Sequence, residues 1–150
     1  LADVVAAFPE PARVPFRLMS EKVSSGGMST VLDAAIARMF PPAFQTAHPD
    51  EVALRKAALA RFDAASFSRA CLALAALDTT AQLRQIRNPT LIMCGALDLT
   101  TPPALAQALA QGIPGAQYRE IAGSGHCPMV EQPALLTTCI EDFLLAPPSL

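Results

Sequence analysis

The sequence has few charged residues and no cluster of basic ones. Asp, Glu, Lys and Arg make up 16% of the 150 residues, and the formal net charge is −2, whereas an average soluble domain is about 25% charged. Because nucleic-acid-binding domains present clustered Lys and Arg, we expect no nucleic-acid partner. Apolar residues make up 52% of the sequence. This high fraction favours a chain whose apolar faces pack against additional polypeptide. An alanine-rich helical domain is the alternative.

Long apolar runs and metal-binding motifs are also missing. The longest fully apolar stretch lies within residues 70–77 and is too short to span a bilayer, so we expect no membrane association. The four cysteines, at 71, 94, 127 and 139, form no C-x-x-C pair and no zinc spacing. We therefore expect no bound metal and a reduced, cytoplasmic setting, although an even number of cysteines also allows extracellular disulfides.

The first half of the chain has helical spacing. Three prolines within residues 1–15 predict irregular chain there, since proline removes a donor and fixes φ, and Ser-Ser-Gly-Gly at 24–27 predicts a loop or a helix start. Helical periodicity then predicts helices over residues 29–40, 49–62, 65–77 and 81–86. Successive helices without a strand are typical of an insertion that covers an active site. We therefore assign residues 1–80 to a helical cap, or lid, with a leading linker.

The second half alternates strands and helices. Thr90–Cys94 is a continuous apolar run, which suits a strand buried on both faces of a parallel sheet, and Ala116–Ala122 is the second strand candidate. Helices are predicted between these strands and over Pro133–Leu145. This alternation predicts an α/β fold, so residues 81–150 are assigned to a core of two parallel strands with flanking helices, preceded by the cap.

An aspartate and a histidine each follow one predicted strand. Asp98 ends the segment Gly95-Ala-Leu-Asp, and His126 ends Gly123-Ser-Gly-His. The carboxyl ends of parallel strands share one edge of a sheet, and 126 − 98 = 28 residues leave room for one helix and one strand. We therefore expect the two side chains to meet. An imidazole held by a carboxylate is the base and orienting acid of a Ser-His-Asp hydrolase.

Each of these residues has a structural alternative. Asp98 alone could be a turn aspartate that accepts backbone N–H groups before a helix, and His126 alone could be a loop histidine bonded to backbone or water. Glu131 is more easily explained by bonds to the histidine loop, or by its place near a helix N-terminus, than by catalysis. Cys127 adjoins His126, but neighbours in a chain rarely face each other, so a Cys-His nucleophile pair is disfavoured.

The nucleophile for such a pair is missing from the sequence. A nucleophile elbow places serine in G-x-S-x-G between a strand and a helix, and this motif does not occur. Ser29 has only the following helix, and Ser124 lies in a loop, so neither fits. We expect a chain that holds the base and the acid, lacks the nucleophile and oxyanion hole, and is inactive alone. Leu1 in place of an initiator Met fits a longer reading frame.

The segment Leu83–Leu145 resembles the C-terminal part of α/β-hydrolase-fold enzymes. The motifs are PTLIMCGALDLTTPP and EIAGSGHCPMVEQP; the G-x-x-D aspartate and G-x-G-H histidine of that superfamily correspond to Asp98 and His126. The helical stretch more loosely resembles the cap of the 3-oxoadipate enol-lactonase group, through Gly27-Met28, the segment 37–40 and Phe67–Asp78. That group tends to have a tryptophan near Met39, whereas this sequence has none.

The resemblance implies a serine hydrolase for an ester or lactone of a small organic acid, without metal or cofactor. His126 would deprotonate the serine and Asp98 would hold the imidazole. The cap residues implied to line an apolar substrate pocket are Met28, Met39, Phe40 and Phe67. The alternatives are a cofactor-free haloperoxidase, a C–C bond hydrolase, and a non-catalytic fragment or interaction module. Besides the substrate, the expected partner is the missing N-terminal half or a second copy of the chain.

Overall fold

Residues 1–145 of the computed structural model form two units. The helical unit is Ala6–Ala81, and the strand unit comprises Leu1–Val5 and the chain from Gln82 onward. The sequence places residues 1–5 in the leading linker of the cap. The structure places them in the strand unit, because Ala2 pairs in parallel with Met93. That the helical unit acts as a cap stays a prediction.

The helical unit contains five α-helices. These are α1 (Glu10–Gly26), α2 (Leu32–Met39), α3 (Pro42–Ala47), α4 (Pro49–Ala60) and α5 (Ala64–Ala76). Helices α2, α4 and α5 lie where the periodicity predicts them, and 3-10 turns follow α1 and α5, at Met28–Thr30 and Thr80–Gln85. One core cluster consists of buried Val23, Met28 and Val31, against which Leu59 and Phe67 pack.

Helix α1 contradicts the prediction of irregular chain over residues 1–15. Pro11 lies in the first turn, where the missing N–H has no partner within the helix in any case. Pro15 lies inside the helix and removes one i→i−4 hydrogen bond, a change that costs about 3 kcal/mol. Burial of Phe16 and Val23 on the core side of α1 offsets that cost. The Ser-Ser-Gly-Gly segment ends α1 at Gly26, and its last residue, Gly27, precedes the 3-10 turn Met28–Thr30.

The strand unit is built around β1 (Leu91–Gly95), which pairs in parallel with β2 (Gln117–Ile121). On the other side of β1, Met93 N–H donates to Leu1 O at 2.8 Å, and Asp3 N–H donates to Met93 O at 3.0 Å. Residues 1–3 therefore extend the sheet as a third parallel segment. The flanking helices are α6 (Pro103–Gly112), α7 (Pro128–Glu131) and α8 (Pro133–Leu145).

The core of the strand unit follows from the apolar run in β1. All five residues of β1 are buried, as expected for a strand covered on both faces. Leu91 and Met93 pack with Ile121 and Leu136, joined by the half-buried Phe143. Full burial of an Ile side chain such as Ile121 is worth about 1.5–3 kcal/mol. Within residues 1–145, no helix is both long and apolar enough to cross a membrane.

Two short helices, α3 and α7, are not predicted by periodicity. They have 6 and 4 residues and begin at Pro42 and Pro128. Proline is favoured at the first helical position because its φ already suits a helix. Segments this short show too few turns for an apolar period to appear.

Candidate active site

The turn after β1 is held against the loop after β2. Leu97 N–H donates to Ser124 O at 2.8 Å, and Asp98 N–H donates to Gly95 O at 3.1 Å. A Cβ atom at Gly95 would lie 1.9 Å from Gly125 O, so only glycine allows the two backbones to approach this closely. This contact brings the two strand ends to a common site.

Asp98 and His126 meet at this edge of the sheet. The His126 Nδ1 atom lies 2.9 Å from Asp98 Oδ2. The Asp98 side chain is fully buried, whereas the His126 side chain is 26% exposed. Gly123, at φ +72°, turns the chain after β2 so that the imidazole reaches back to the carboxylate. The imidazole is therefore anchored on one side and still accessible.

Both oxygens of Asp98 accept hydrogen bonds. Oδ1 accepts from Thr100 N–H at 2.7 Å and Thr101 N–H at 3.0 Å, and Oδ2 accepts from the Thr101 hydroxyl at 2.7 Å as well as from His126. From the sequence alone, a turn role and a contact with histidine are alternatives for Asp98. In the structure, Asp98 has both. Thr100, two residues after Asp98, has the spacing of an Asx turn, whereas sequence reasoning misses the role of Thr101.

The hydrogen bonds set the charge of Asp98. Burial by itself would raise the pKa of Asp98, but hydrogen bonds from His126 and Thr101 outweigh burial and hold the pKa below its ordinary value. Asp98 is therefore a carboxylate at neutral pH. Since a carboxylate only accepts, Nδ1 of His126 is the donor in their bond. The Nε2 atom is then left as the proton acceptor of the neutral imidazole.

Glu131 holds the backbone on both sides of His126. Its Oε2 accepts from Gly125 N–H at 2.8 Å, and its Oε1 accepts from Cys127 N–H at 3.0 Å. Charge-assisted bonds of this kind are stronger than neutral ones. Glu131 therefore orients the loop that presents the imidazole, in agreement with the structural role favoured by the sequence.

Asp3 is a further carboxyl at this edge that sequence reasoning misses. Its Oδ1 accepts from Gly95 N–H at 3.2 Å. A ligand atom of Asp3 lies within 4.8 Å of those of Cys94 and Asp98. These donors do not suit a cation, because the oxygens of Asp98 already accept four hydrogen bonds and burial raises the pKa of the Cys94 thiol to about 12. The leading segment is too short to show a period that would identify it as a strand.

The four predicted substrate-binding residues all lie in the helical unit. Met28 and Phe40 are buried, and Met39 and Phe67 are half-buried. The Phe40 ring stacks on Phe44 at 5.1 Å, and Met28 belongs to the core cluster with Val23. A role in substrate binding stays a prediction for all four. Ser124, rejected as a nucleophile, is fully buried.

Several known proteins are similar to this chain in sequence. A model of the Alpha/beta hydrolase family matches residues 2–137. Over 102 residues the chain is 40% identical to a region of the polyketide synthase ThaQ of Burkholderia thailandensis, covering 67% of this chain and 5% of that protein. Over 122 residues it is 30% identical to 3-oxoadipate enol-lactonase 2 of Acinetobacter baylyi, covering 81% of this chain and 45% of that protein.

A solved enol-lactonase structure is also similar to this chain. The enol-lactonase of Burkholderia xenovorans superimposes with a TM-score of 0.88 at 28% identity, covering 97% of this chain and 55% of that one. The chain thus spans about half the length of the enol-lactonases that it matches and a small part of the polyketide synthase. The predicted fold class, a helical region followed by parallel strands with helices, is confirmed. This chain belongs to the alpha/beta hydrolase family.

Proposed function

We propose that this chain holds the general base and the orienting acid of a serine hydrolase that acts on an ester or lactone of a small organic acid. The observation that supports it best is the 2.9 Å contact between His126 Nδ1 and the buried Asp98 carboxylate. The likeness to enol-lactonases in both sequence and structure supports the substrate class. In this proposal, polypeptide outside these 150 residues supplies the serine and the oxyanion hole.

In this mechanism His126 moves one proton in each direction. Nε2 takes the proton of the serine hydroxyl as the serine oxygen bonds to the carbonyl carbon. When the carbon–oxygen bond of the ester or lactone breaks, the imidazolium returns that proton to the leaving oxygen. Water then attacks the acyl-enzyme in the same way and releases the acid. Asp98 stays ionised throughout and stabilises the imidazolium.

The helical unit supplies the apolar part of the substrate site in this proposal. Met28, Met39, Phe40 and Phe67 carry no charge and suit the carbon chain of a small acid. Met39 and Phe67 keep part of their surface exposed, so these two are the first to test. Replacing either by alanine is expected to raise KM more than it lowers kcat.

A second candidate substrate is an acyl chain bound to a polyketide synthase. The 40% identity to a region of such a synthase favours it. The same histidine and aspartate would release an acyl group from a thioester by the same two steps. The haloperoxidase and C–C hydrolase alternatives also use this pair, so substrate tests separate them.

The proposed protein partner is the N-terminal half of the hydrolase. The strand unit has an open apolar groove of about 540 Å³, lined in part by Leu1, Leu91, Met93, Ile140 and Phe143. An apolar surface of this kind suits contact with more protein. A second copy of the chain is the alternative, and size-exclusion chromatography with light scattering distinguishes a monomer from a dimer.

The test compares this chain with the protein made from the complete reading frame around it. Each is incubated with a fluorophosphonate, and intact mass and peptide mapping locate the labelled serine. We expect labelling of the complete protein at a serine outside residues 1–150, and no labelling of the 150-residue chain. A lactone, a phenyl ester and an acyl N-acetylcysteamine thioester then rank the substrates.

The two histidines of the chain provide the control. His48 is exposed and belongs to the helical unit, so His48→Ala is expected to keep labelling, whereas His126→Ala is expected to abolish it. If a serine within residues 1–150 is labelled and this labelling is lost in His126→Ala, the proposal that the nucleophile lies outside these residues is wrong. Labelling that survives His126→Ala would contradict the role of His126 as base.

A further inference from the structure

Asp3 lies at this edge of the sheet, and no part of the proposed mechanism uses it. Asp3 ends the short segment that pairs with β1, through its N–H bond to Met93 O. Asp98 follows β1, the strand next to this segment. Asp3 and Asp98 therefore lie at the same end of the sheet. The Gly95 N–H that binds Asp3 Oδ1 belongs to the last residue of β1. The carboxyl groups of Asp98 and Glu131 thus bind the histidine loop, and that of Asp3 binds the end of β1.

The two aspartates at this edge are hydrogen-bonded very differently. Asp98 accepts four hydrogen bonds, whereas Asp3 accepts the single bond from Gly95. Within residues 1–145 nothing donates to Asp3 Oδ2, although this atom is buried. An unsatisfied buried oxygen destabilises the folded state, and a proton or a positive charge nearby would relieve this cost.

We propose that Asp3 is a second acid of this site, a positioning residue whose negative charge stabilises the imidazolium of His126. This inference rests on the proposed function, because the imidazolium arises when the serine is deprotonated. Asp98 holds the imidazole directly by a hydrogen bond. Asp3 acts through space, and as the pH falls it takes up a proton before Asp98 does.

The groups that face Asp3 explain why it titrates before Asp98. Burial raises the pKa of Asp3 to about 6, against the lowering effects of the Gly95 N–H and the charge of His126, while the charges of Asp98 and Glu131 raise it further. The Cys94 thiol beside it stays protonated. Because the interaction of two charges is mutual, a charge on His126 that favours the Asp3 anion is itself favoured by that anion.

The first test measures the ionisation of Asp3 without any turnover. In the 150-residue chain labelled with ¹³C at aspartate, the Asp3 carboxyl signal is followed from pH 3 to pH 9. We expect a midpoint near 6, whereas an aspartate in a model peptide titrates at about 4. In Asp98→Asn the midpoint should fall, and in His126→Ala it should rise, since these variants remove charges of opposite sign. Asp142→Asn, an exposed site in α8, should leave it unchanged.

The second test measures kcat and KM of the complete protein between pH 5 and pH 8. Asp3→Asn is expected to lower kcat about threefold to tenfold above pH 7, the range that corresponds to roughly half to one pKa unit of coupling. Near pH 5, where Asp3 is protonated, the variant should match the wild type. Asparagine also tolerates the φ of +51° at this position. Asp142→Asn again serves as the control.

The outcomes separate the two proposals. An Asp3 midpoint near 4 in the wild type, or one that moves in neither variant, overturns the role of Asp3. A loss of kcat in Asp3→Asn that is the same at every pH also overturns it, since a purely structural defect would not depend on the ionisation of Asp3. If the complete protein hydrolyses none of the substrates, the proposed function is overturned instead. The Asp3 titration midpoints in Asp98→Asn and His126→Ala then still decide whether Asp3 is coupled to His126. If one variant fails to fold, the shift in the other decides.

Discussion

The two units of this chain place their polar side chains in opposite ways. The helical unit has its ion pairs at or near the surface, such as Arg17–Glu10 and Arg55–Glu51, and its buried polar contact is between the hydroxyls of two serines. The strand unit buries an ionised carboxylate, Asp98, against an imidazole. Among the ion pairs that the structure describes within residues 1–145, the one with a fully buried carboxylate thus lies in the strand unit.

The difference follows from where backbone N–H groups are free. Inside a helix each N–H already donates to the carbonyl four residues earlier, so a buried carboxylate there would find no donors. The turns after β1 and β2 leave N–H groups unpaired, and Asp98 and Glu131 accept from them. A buried charge is tolerated when such donors surround it. Charged chemistry therefore concentrates at the ends of the strands.

The largest expected effect comes from breaking the pair itself. Asp98→Asn is expected to lower kcat/KM of the complete protein, chiefly through kcat, by about 10⁴-fold because the base is misoriented, and His126→Ala by about 10⁶-fold because the base is removed. Circular dichroism checks that the fold is kept. His48→Ala, in the helical unit, is the control and should change kcat/KM less than twofold. Equal losses of kcat/KM in His48→Ala and His126→Ala would show that the helical unit contributes to activity as much as the strand unit does.

A smaller effect is expected when the loop is loosened and the pair is kept. Glu131→Gln retains one acceptor oxygen but loses the carboxylate that binds Gly125 and Cys127. We expect kcat to fall about 10- to 100-fold, in the range seen when supporting residues of a site are changed, with little change in KM. Glu141→Gln, exposed in α8, is the matched control. A wild-type kcat in Glu131→Gln would show that the loop needs no such support.

The smallest effect on activity is expected in the helical unit. The Ser68 hydroxyl lies 2.7 Å from that of Ser20 and 3.0 Å from that of Ser24, between α1 and α5. Ser68→Ala leaves the buried Ser20 hydroxyl without this partner and should lower the free energy of unfolding by about 1–2 kcal/mol. Urea denaturation measures this change, with Ser25→Ala as the exposed control. A loss of kcat as large as that of Glu131→Gln would mean that both units share the chemistry.

Much of the strand unit was predictable from short-range patterns. The apolar run 90–94 predicts β1, and the segment Pro133–Leu145 matches α8. Helix α1 was not predictable, because proline inside a helix is a local breaker and the burial of Phe16 and Val23 that offsets Pro15 depends on tertiary packing. Asp3 was not predictable either, since its position depends on pairing with Met93, 90 residues away in the chain.

Residue order alone determines that an aspartate and a histidine follow successive apolar runs, and that no G-x-S-x-G precedes them within this chain. The tertiary structure decides that the two side chains meet at 2.9 Å, that Thr101 and Glu131 hold them, and that Asp3 joins the site. Patterns of two to four residues act through local backbone geometry and can be recognised in a sequence. Contacts between distant segments depend on how the sheet is paired, which no local pattern contains.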